Sequence, residues 1–332
     1  AMGSAFTVPC IENKNDVTLI GTHLEDDLIE SIKLNKNFHP VLNTQLPLNL
    51  KIENFKKLNA ILKGKVDIIV AGVSSLGIKW FVDQISENYK KNLTIILLTK
   101  GLSIVDGELV TLSDKIKKLL KEKGHKEISI SAIKGPCLAA GLANKMRTGT
   151  VIANPNIKES QVLKKIISTN YYSTELSDDL IGIELSGAIK NIYSMLIGAS
   201  EGLSNPTAPI DIQAKHYLNT SASLIHRSIS EMVEFVSYYG GAPETVYGLA
   251  GLGDLYVSAI GGRNSLMGKY LGQGYLYREA KDKFMKNITV EGAQLALEIG
   301  PKLLKDLDQK NFPLMFSMLH TICDNKKLQI NW

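Results

Sequence analysis

Along the first half of the chain, short apolar runs alternate with longer stretches in which apolar residues return every three or four positions. The runs Val17–Ile20, Asp67–Val73, Thr94–Leu98, Ile128–Ile133 and Thr150–Ala153 predict strands. Val66-Asp67-Ile68-Ile69-Val70-Ala71 and Thr94-Ile95-Ile96-Leu97-Leu98 are nearly continuous, the pattern of strands covered on both faces, which points to a parallel sheet. Helical periodicity such as Ser113–Lys123 lies between them, so the alternation predicts a doubly wound α/β domain. Past about Tyr172 the strand signals fade. Amphipathic stretches take over at Asp179–Gly198, Asp211–Tyr238, Val290–Leu307 and Leu314–Asn325, and they predict a second, all-helical domain. We place the dinucleotide-type domain at 1–175 and the helical domain at 176–332.

Composition narrows this picture without redirecting it. The 332 residues are 44% hydrophobic and 21% charged, ordinary for a globular chain of two domains. The net charge of +5 is mild, and its clusters (Lys56-Lys57, Lys117-Lys118, Lys164-Lys165) read as solvated helix faces rather than a nucleic-acid footprint. Cys10, Cys137 and Cys323 are odd in number and far apart, which favours reduced thiols in a cytoplasmic protein over a disulfide framework. No His/Cys spacing suggests a metal, the start lacks the features of a signal peptide, and no apolar run approaches the roughly 18 residues of a membrane span.

The N-terminus carries a partial motif. A dinucleotide-binding domain opens with a strand, G-x-G-x-x-G and a helix. Here Ala1-Met2-Gly3-Ser4-Ala5-Phe6 reads as the end of that motif, with Gly3 as its third glycine and strand Val17–Ile20 and Gly21 following at the expected distance. The fold expected is therefore a Rossmann-type sheet lacking its first strand and first two glycines, with unpaired backbone on two neighbouring strands. We expect the sequence to be truncated there. The other reading is a short tail from cloning, since small Gly/Ser/Met stretches are common there, and the length from Gly3 to Gly21 favours the native reading over it. The next strand ends in Gly21-Thr22-His23-Leu24-Glu25-Asp26-Asp27, with neither an acid for a ribose 2′-hydroxyl nor an Arg for a 2′-phosphate at its tip, so NAD and NADP stay open.

Four further segments carry chemistry. Lys100 in Leu98-Thr99-Lys100-Gly101 ends a buried strand, where ligands of open α/β sheets bind. Ile133-Lys134-Gly135-Pro136-Cys137-Leu138-Ala139 also follows a strand and opens a helix, whose first N–H groups suit an anion or carbonyl oxygen. In the Glu184–Tyr193 stretch, Leu185, Ala188, Ile189, Ile192, Met195 and Leu196 share one helical face. Glu184, Gly187, Lys190, Asn191 and Ser194 share the other, which makes Lys190 a solvent lysine or a buried acid/base. Gly248-Leu249-Ala250-Gly251-Leu252-Gly253-Asp254-Leu255 and Gly261-Gly262-Arg263-Asn264 concentrate costly glycines in a helical domain, and Arg263-Asn264 could grip a phosphate.

In order and spacing, Thr99-Lys100-Gly101, Gly135-Pro136, Glu184–Asn191, Gly248–Leu255, Gly262-Arg263-Asn264 and Val290-Glu291-Gly292 resemble the NAD(P)-dependent glycerol-3-phosphate dehydrogenase family over nearly the whole chain. The resemblance implies reversible reduction of dihydroxyacetone phosphate, feeding glycerophospholipid synthesis, by a cytoplasmic homodimer. It implies that Lys190 is the acid/base, Asp254 its partner, and Lys100 a substrate contact. It assigns the substrate to Gly135, Cys137, Asn191, Ser258, Gly262, Arg263 and Asn264 as well, and the cofactor to Met2, Gly3, Ser4, His23, Lys100, Ala139, Arg263 and Glu291. The chain departs from the family at Cys137 (commonly Ser or Thr), at Gly262 (commonly Ser) and at Ser265 (commonly Arg). The rival readings are a ketopantoate or hydroxy-acid type reductase, whose substrate is a lone carboxylate, and a nucleotide-binding protein without catalysis.

Overall fold

The computed structural model describes residues 1–89, 92–203 and 210–330. Its packing divides into two units, Ala1–Lys100 with Leu112–Leu180, and Gly101–Thr111 with the chain from Ile181 onward.

In the first unit, helix α1 (Met2–Glu12) leads to strand β1 (Thr18–Ile20), helix α2 (Asp26–Leu34) and strand β2 (Lys51–Glu53). Then come β3 (Ile69–Ala71), α3 (Ile78–Asn88), β4 (Leu93–Leu97), α4 (Leu112–Glu122), β5 (Ile128–Lys134), β6 (Thr148–Ala153), α5 (Ile157–Ile167) and β7 (Tyr172–Ser177). Five strands form one sheet in the order β7-β6-β5-β4-β3. The alternation along β4 explains why its run is continuously apolar: Ile95 and Leu97 enter one core with Ala71 and Ile130, while Ile96 and Leu98 enter the other with Ile133 and Ile152. Strands β1 and β2 pair in parallel, Leu19 opposite Ile52, as a separate two-stranded sheet. Among the described strands, β1 bonds to β2 and β3 to β4, so the sheet is interrupted between β1 and β3. Behind that interruption α1 approaches the end of β3 closely. A Cβ on Gly72 would lie 3.0 Å from the Gly3 Cα.

Two expectations need correction. The sheet is not uniformly parallel, since β6 runs antiparallel to β5 with Val151 opposite Lys134. The link between them contains only the five-residue helix Ala139–Ala143, which spans about 7.5 Å and does not carry the chain back along a strand of seven residues, about 23 Å long. Strand β7 also lies where strand signals fade. Its residues alternate between buried (Tyr172, Thr174) and exposed (Ser173, Glu175), so at the sheet edge its sequence reads as polar.

In the second unit, helix α6 (Leu180–Gly198) is followed by α7 (Ile210–Tyr238), α8 (Asp254–Ile260), α9 (Arg263–Gly272), α10 (Glu291–Asp306) and α11 (Pro313–Cys323). A hairpin of Leu102–Val105 and Glu108–Thr111 belongs with these helices: Leu102 joins their core, and Ser103 Oγ donates to Glu298 Oε1 at 3.3 Å. By length and composition Leu180–Leu203 would suit a membrane, with mean hydropathy 1.3, but 94% of that window is buried, so its apolarity is that of a core helix.

Helices α6 and α9 cross at backbone contact. A Cβ on Gly268 would run into the Met195 carbonyl oxygen, 2.8 Å from its carbon, and one on Gly272 would lie 3.0 Å from Ala199 Cα. On the facing helix, a Cβ on Gly198 would lie 2.6 Å from Ser265 Cα. Glu231 on α7 fastens α11 by accepting from the Leu314 and Met315 N–H groups at 2.7 and 2.9 Å and from Tyr193 Oη at 3.1 Å. Burial pushes its carboxyl up despite these three donors.

Candidate active site

Lys190 sits in the middle of α6, and that helix is not two-faced. Glu184, Gly187, Lys190, Asn191 and Ser194, the residues of the supposed polar face, are all buried. Lys190 retains 3% exposure. Its Nζ donates to Asp254 Oδ1 at 2.9 Å and also hydrogen-bonds Ser258 Oγ. Asp254 and Ser258 stand four residues apart on α8, one above the other on the same helical face, which is why both reach one ammonium. Of the glycines before them, Gly251 has a steric cause. Leu249–Gly253 forms a turn of π-helix, and a Cβ on Gly251 would collide with the Val246 carbonyl. The turn brings Asp254 (3% exposed) to the ammonium out of water, where removing either partner would strand a buried charge at a cost of about 3–5 kcal/mol.

The next glycine is also accounted for. Gly262 caps α9 with φ +136°, in the left-handed region that side chains avoid, so glycine suits this backbone where a side chain would strain it. Arg263 follows at the helix start, half-exposed, with Nη2 on Glu291 Oε1 at 2.8 Å. Asn264 turns inward. Its Nδ2 donates to Asn191 Oδ1 and its Oδ1 accepts from the Gly292 N–H, both at 2.9 Å. Gly292 must be glycine, because a Cβ there would press on the Asn191 carbonyl of α6, 2.7 Å from its carbon. One buried amide thus ties the starts of α9 and α10 to the residue beside Lys190.

In the first unit, Lys100 follows β4 and is half-buried, with Gly101 after it at φ +151°. Thr99 Oγ1 donates to the Val73 carbonyl at 2.7 Å. Gly135 has φ +142°, and a Cβ on it would lie 3.0 Å from Thr150 Cα, so it turns the chain out of β5 against β6. Cys137, half-buried, donates its N–H to the Gly135 carbonyl at 2.8 Å, and Ala139 opens the short helix behind it. Met2, Gly3 and Ser4 form the first turn of α1. His23 is exposed just past β1, its ring 5.2 Å from Trp80 and 6.2 Å from Phe55.

Three neighbours of these residues went unread in the sequence. Phe55 lies just past the C-terminal end of β2, and that position was its available signal, whereas Trp80 sits in the first turn of α3 and reads as an ordinary helix residue. Lys134 belongs to the Ile133–Ala139 segment, but nothing in the sequence marks one lysine among many as 2% exposed. Among the described residues no cluster of His, Cys, Asp and Glu could hold a metal ion.

Comparison with known proteins bears on the whole length. The family profile of the NAD-dependent glycerol-3-phosphate dehydrogenase N-terminus matches residues 1–160, and that of its C-terminus residues 179–330. An NADP(+)-dependent glycerol-3-phosphate dehydrogenase of Archaeoglobus fulgidus is 31% identical over 311 residues, 92% of this chain and 89% of that protein. A glycerol-3-phosphate dehydrogenase [NAD(P)+] of Mesoplasma florum is 30% identical over 326 residues, 96% of this chain and 91% of its own. Among solved structures, the glycerol-3-phosphate dehydrogenase of Coxiella burnetii superposes with a TM-score of 0.79 at 26% identity, covering 99% of this chain and 93% of that one.

Proposed function

The chain belongs to the NAD-dependent glycerol-3-phosphate dehydrogenase family, and from that premise we propose that it reversibly reduces dihydroxyacetone phosphate to sn-glycerol 3-phosphate, using NAD or NADP. The observation that carries the reading is the buried Lys190–Asp254–Ser258 group. Reduction of a ketone puts negative charge on its oxygen, and a buried ammonium held by the Asp254 carboxylate is equipped to meet that charge and give up a proton. Asp254 keeps Lys190 oriented, and Ser258 supplies a hydroxyl through which the proton can be replaced. In the reverse direction Lys190 accepts the proton from the C2 hydroxyl.

Lys100 contacts the substrate and adds positive field. Arg263, paired with Glu291, takes the phosphate with a planar fork, and the family resemblance assigns it to the cofactor as well. The phosphate is remote from the reacting carbon, so its binding energy serves to place the carbonyl. Asn264 and Asn191 act on the substrate side by holding the frame around Lys190, Asn264 being committed to Asn191 and Gly292. Gly135, Cys137 and Gly262 line the substrate with backbone.

The residues present fit a dinucleotide. The first turn of α1, with Met2, Gly3 and Ser4, offers helix N–H groups for a pyrophosphate. His23 with Trp80 offers ring faces at the end of β1, and Ala139 and Glu291 complete the set. When bound, the nicotinamide supplies the hydride. Cytoplasmic location, a homodimer and a role in glycerophospholipid synthesis belong to the same reading and rest on the family resemblance.

The test is turnover of dihydroxyacetone phosphate, followed by loss of NADH and NADPH absorbance in parallel. Replacing Lys190→Ala should lower kcat by at least about a hundredfold, as loss of a general acid does. Near-normal turnover in that variant would remove Lys190 from the mechanism. Absence of turnover by the folded parent with either cofactor would remove the reaction.

A further inference from the structure

Lysine is rarely buried completely, because an ammonium without partners pays heavily for leaving water. Lys134, the last residue of β5, is 2% exposed and ranks among the largest fully buried side chains. Its Nζ donates to the Leu97 carbonyl at 3.2 Å and to the Thr99 carbonyl at 2.8 Å. The register explains this choice. The β4–β5 ladder ends with Leu97 opposite Ala132, so Lys134 stands two residues beyond the last ladder pair, level with Thr99. The ammonium therefore takes over, from a side chain, the donor role that the ladder gives up.

The consequence falls on the next residue. A peptide unit is planar, so holding the Thr99 C=O also holds the N–H and Cα of Lys100. Thr99 is held a second time by its hydroxyl, which donates to the Val73 carbonyl at 2.7 Å. After Lys100 the chain turns away through Gly101 at φ +151°. Lys100 is thus projected from a peptide that two buried hydrogen-bond donors fix, one from β5 and one from its own strand.

We propose that Lys134 is a positioning residue for Lys100: its buried ammonium, bonded to the Leu97 and Thr99 carbonyls, sets the direction from which Lys100 meets the substrate. The proposal rests on the reading that Lys100 contacts substrate, and a double-mutant cycle separates the two. Activity with dihydroxyacetone phosphate and the reduced cofactor is measured for the parent, Lys134→Met, Lys100→Ala and the double variant. If Lys134 acts through Lys100, Lys134→Met lowers kcat/KM about tenfold in the parent and less than about twofold once Lys100 is alanine, because coupled residues are not additive.

Equal losses in both backgrounds, or no loss in either, would overturn the positioning role while leaving Lys100 in place, provided Lys100→Ala is itself impaired. A fully active Lys100→Ala would overturn the Lys100 reading and this proposal together. Should Lys134→Met not fold, Lys134→Gln, which retains an N–H donor, runs the same cycle. If neither variant folds, Lys134 is a structural residue only and the proposal fails.

Discussion

The crossing of α6 and α9 permits a sharp calculation. In Gly268→Ala, the added methyl would be driven into the Met195 carbonyl, 2.8 Å from its carbon and 3.0 Å from Met195 Cα. Alanine gains about 1 kcal/mol over glycine within a helix. Against this stands an overlap with backbone, which no side-chain rotation relieves. The helices must part by roughly 1 Å, and a gap of that size forfeits up to about half of each dispersion contact along the crossing. Overpacking of this kind costs about 1–3 kcal/mol, and a rigid carbonyl puts it at the upper end.

The net expectation for Gly268→Ala is a loss of about 2 kcal/mol, read as a lower urea midpoint with an unchanged m-value. Met195 lies five residues from Lys190 on the same helix, so kcat should fall as well. The control is Gly141→Ala in the Ala139–Ala143 helix, where the nearest atom to the new methyl is Met146 Cβ at 3.8 Å, ordinary contact. Its stability should stay within about 0.5 kcal/mol of the parent, or rise. A Gly268→Ala protein as stable as the parent would refute the argument that backbone contact dictates this glycine.

Other consequences are open to measurement. Arg263→Ala should raise KM for dihydroxyacetone phosphate about tenfold or more while changing stability by less than about 1 kcal/mol, since its pair with Glu291 is half-exposed; an unchanged KM excludes Arg263 as a phosphate ligand. Burial pushes the Cys10 thiol up to about 12, so in native protein at pH 8 iodoacetamide should label Cys10 far more slowly than Cys137, and equal rates by peptide mass spectrometry would contradict that burial. Because the Glu231 carboxyl is raised in the fold, the native state keeps its proton longer than the unfolded chain, and stability is lost as pH rises from the ordinary value of 4.5 through the raised one. Glu231→Gln removes that titration, so its stability relative to the parent should climb between about pH 4 and neutrality, and a flat difference would show that Glu231 does not titrate there.

Strand positions were legible wherever burial on both faces makes the sequence itself apolar, as in Ile95, Ile96 and Leu97 of β4. They were illegible where the partner supplies the information. Strand β7 looks polar because one of its faces is open, and β6 looks like any other strand although a short link turns it antiparallel to β5. In the site, the run Gly248–Gly253 announced close contact by its cost in a helix, and the structure supplies the atoms, Val246 behind Gly251, while the contact of Gly292 with Asn191 carried no such signal. Periodicity could not tell that the second face of α6 is buried too, since a covered polar face and a solvated one share the same spacing. Asn264 read from the sequence as a phosphate ligand, and the structure adds bonds of its amide to Asn191 and Gly292 that no spacing announces.

The hairpin of residues 101–111 makes the second unit discontinuous along the gene. Leu102 lies in the helical core, and Ser103 bonds Glu298, yet both are encoded ahead of α4, β5, β6 and β7. A single recombination event between diverged relatives, with its breakpoint anywhere from residue 112 to residue 180, would therefore combine a hairpin of one lineage with the helices of another. The two halves of this enzyme cannot be inherited as independent cassettes, and chimeras that ignore the hairpin should inherit a mismatched core.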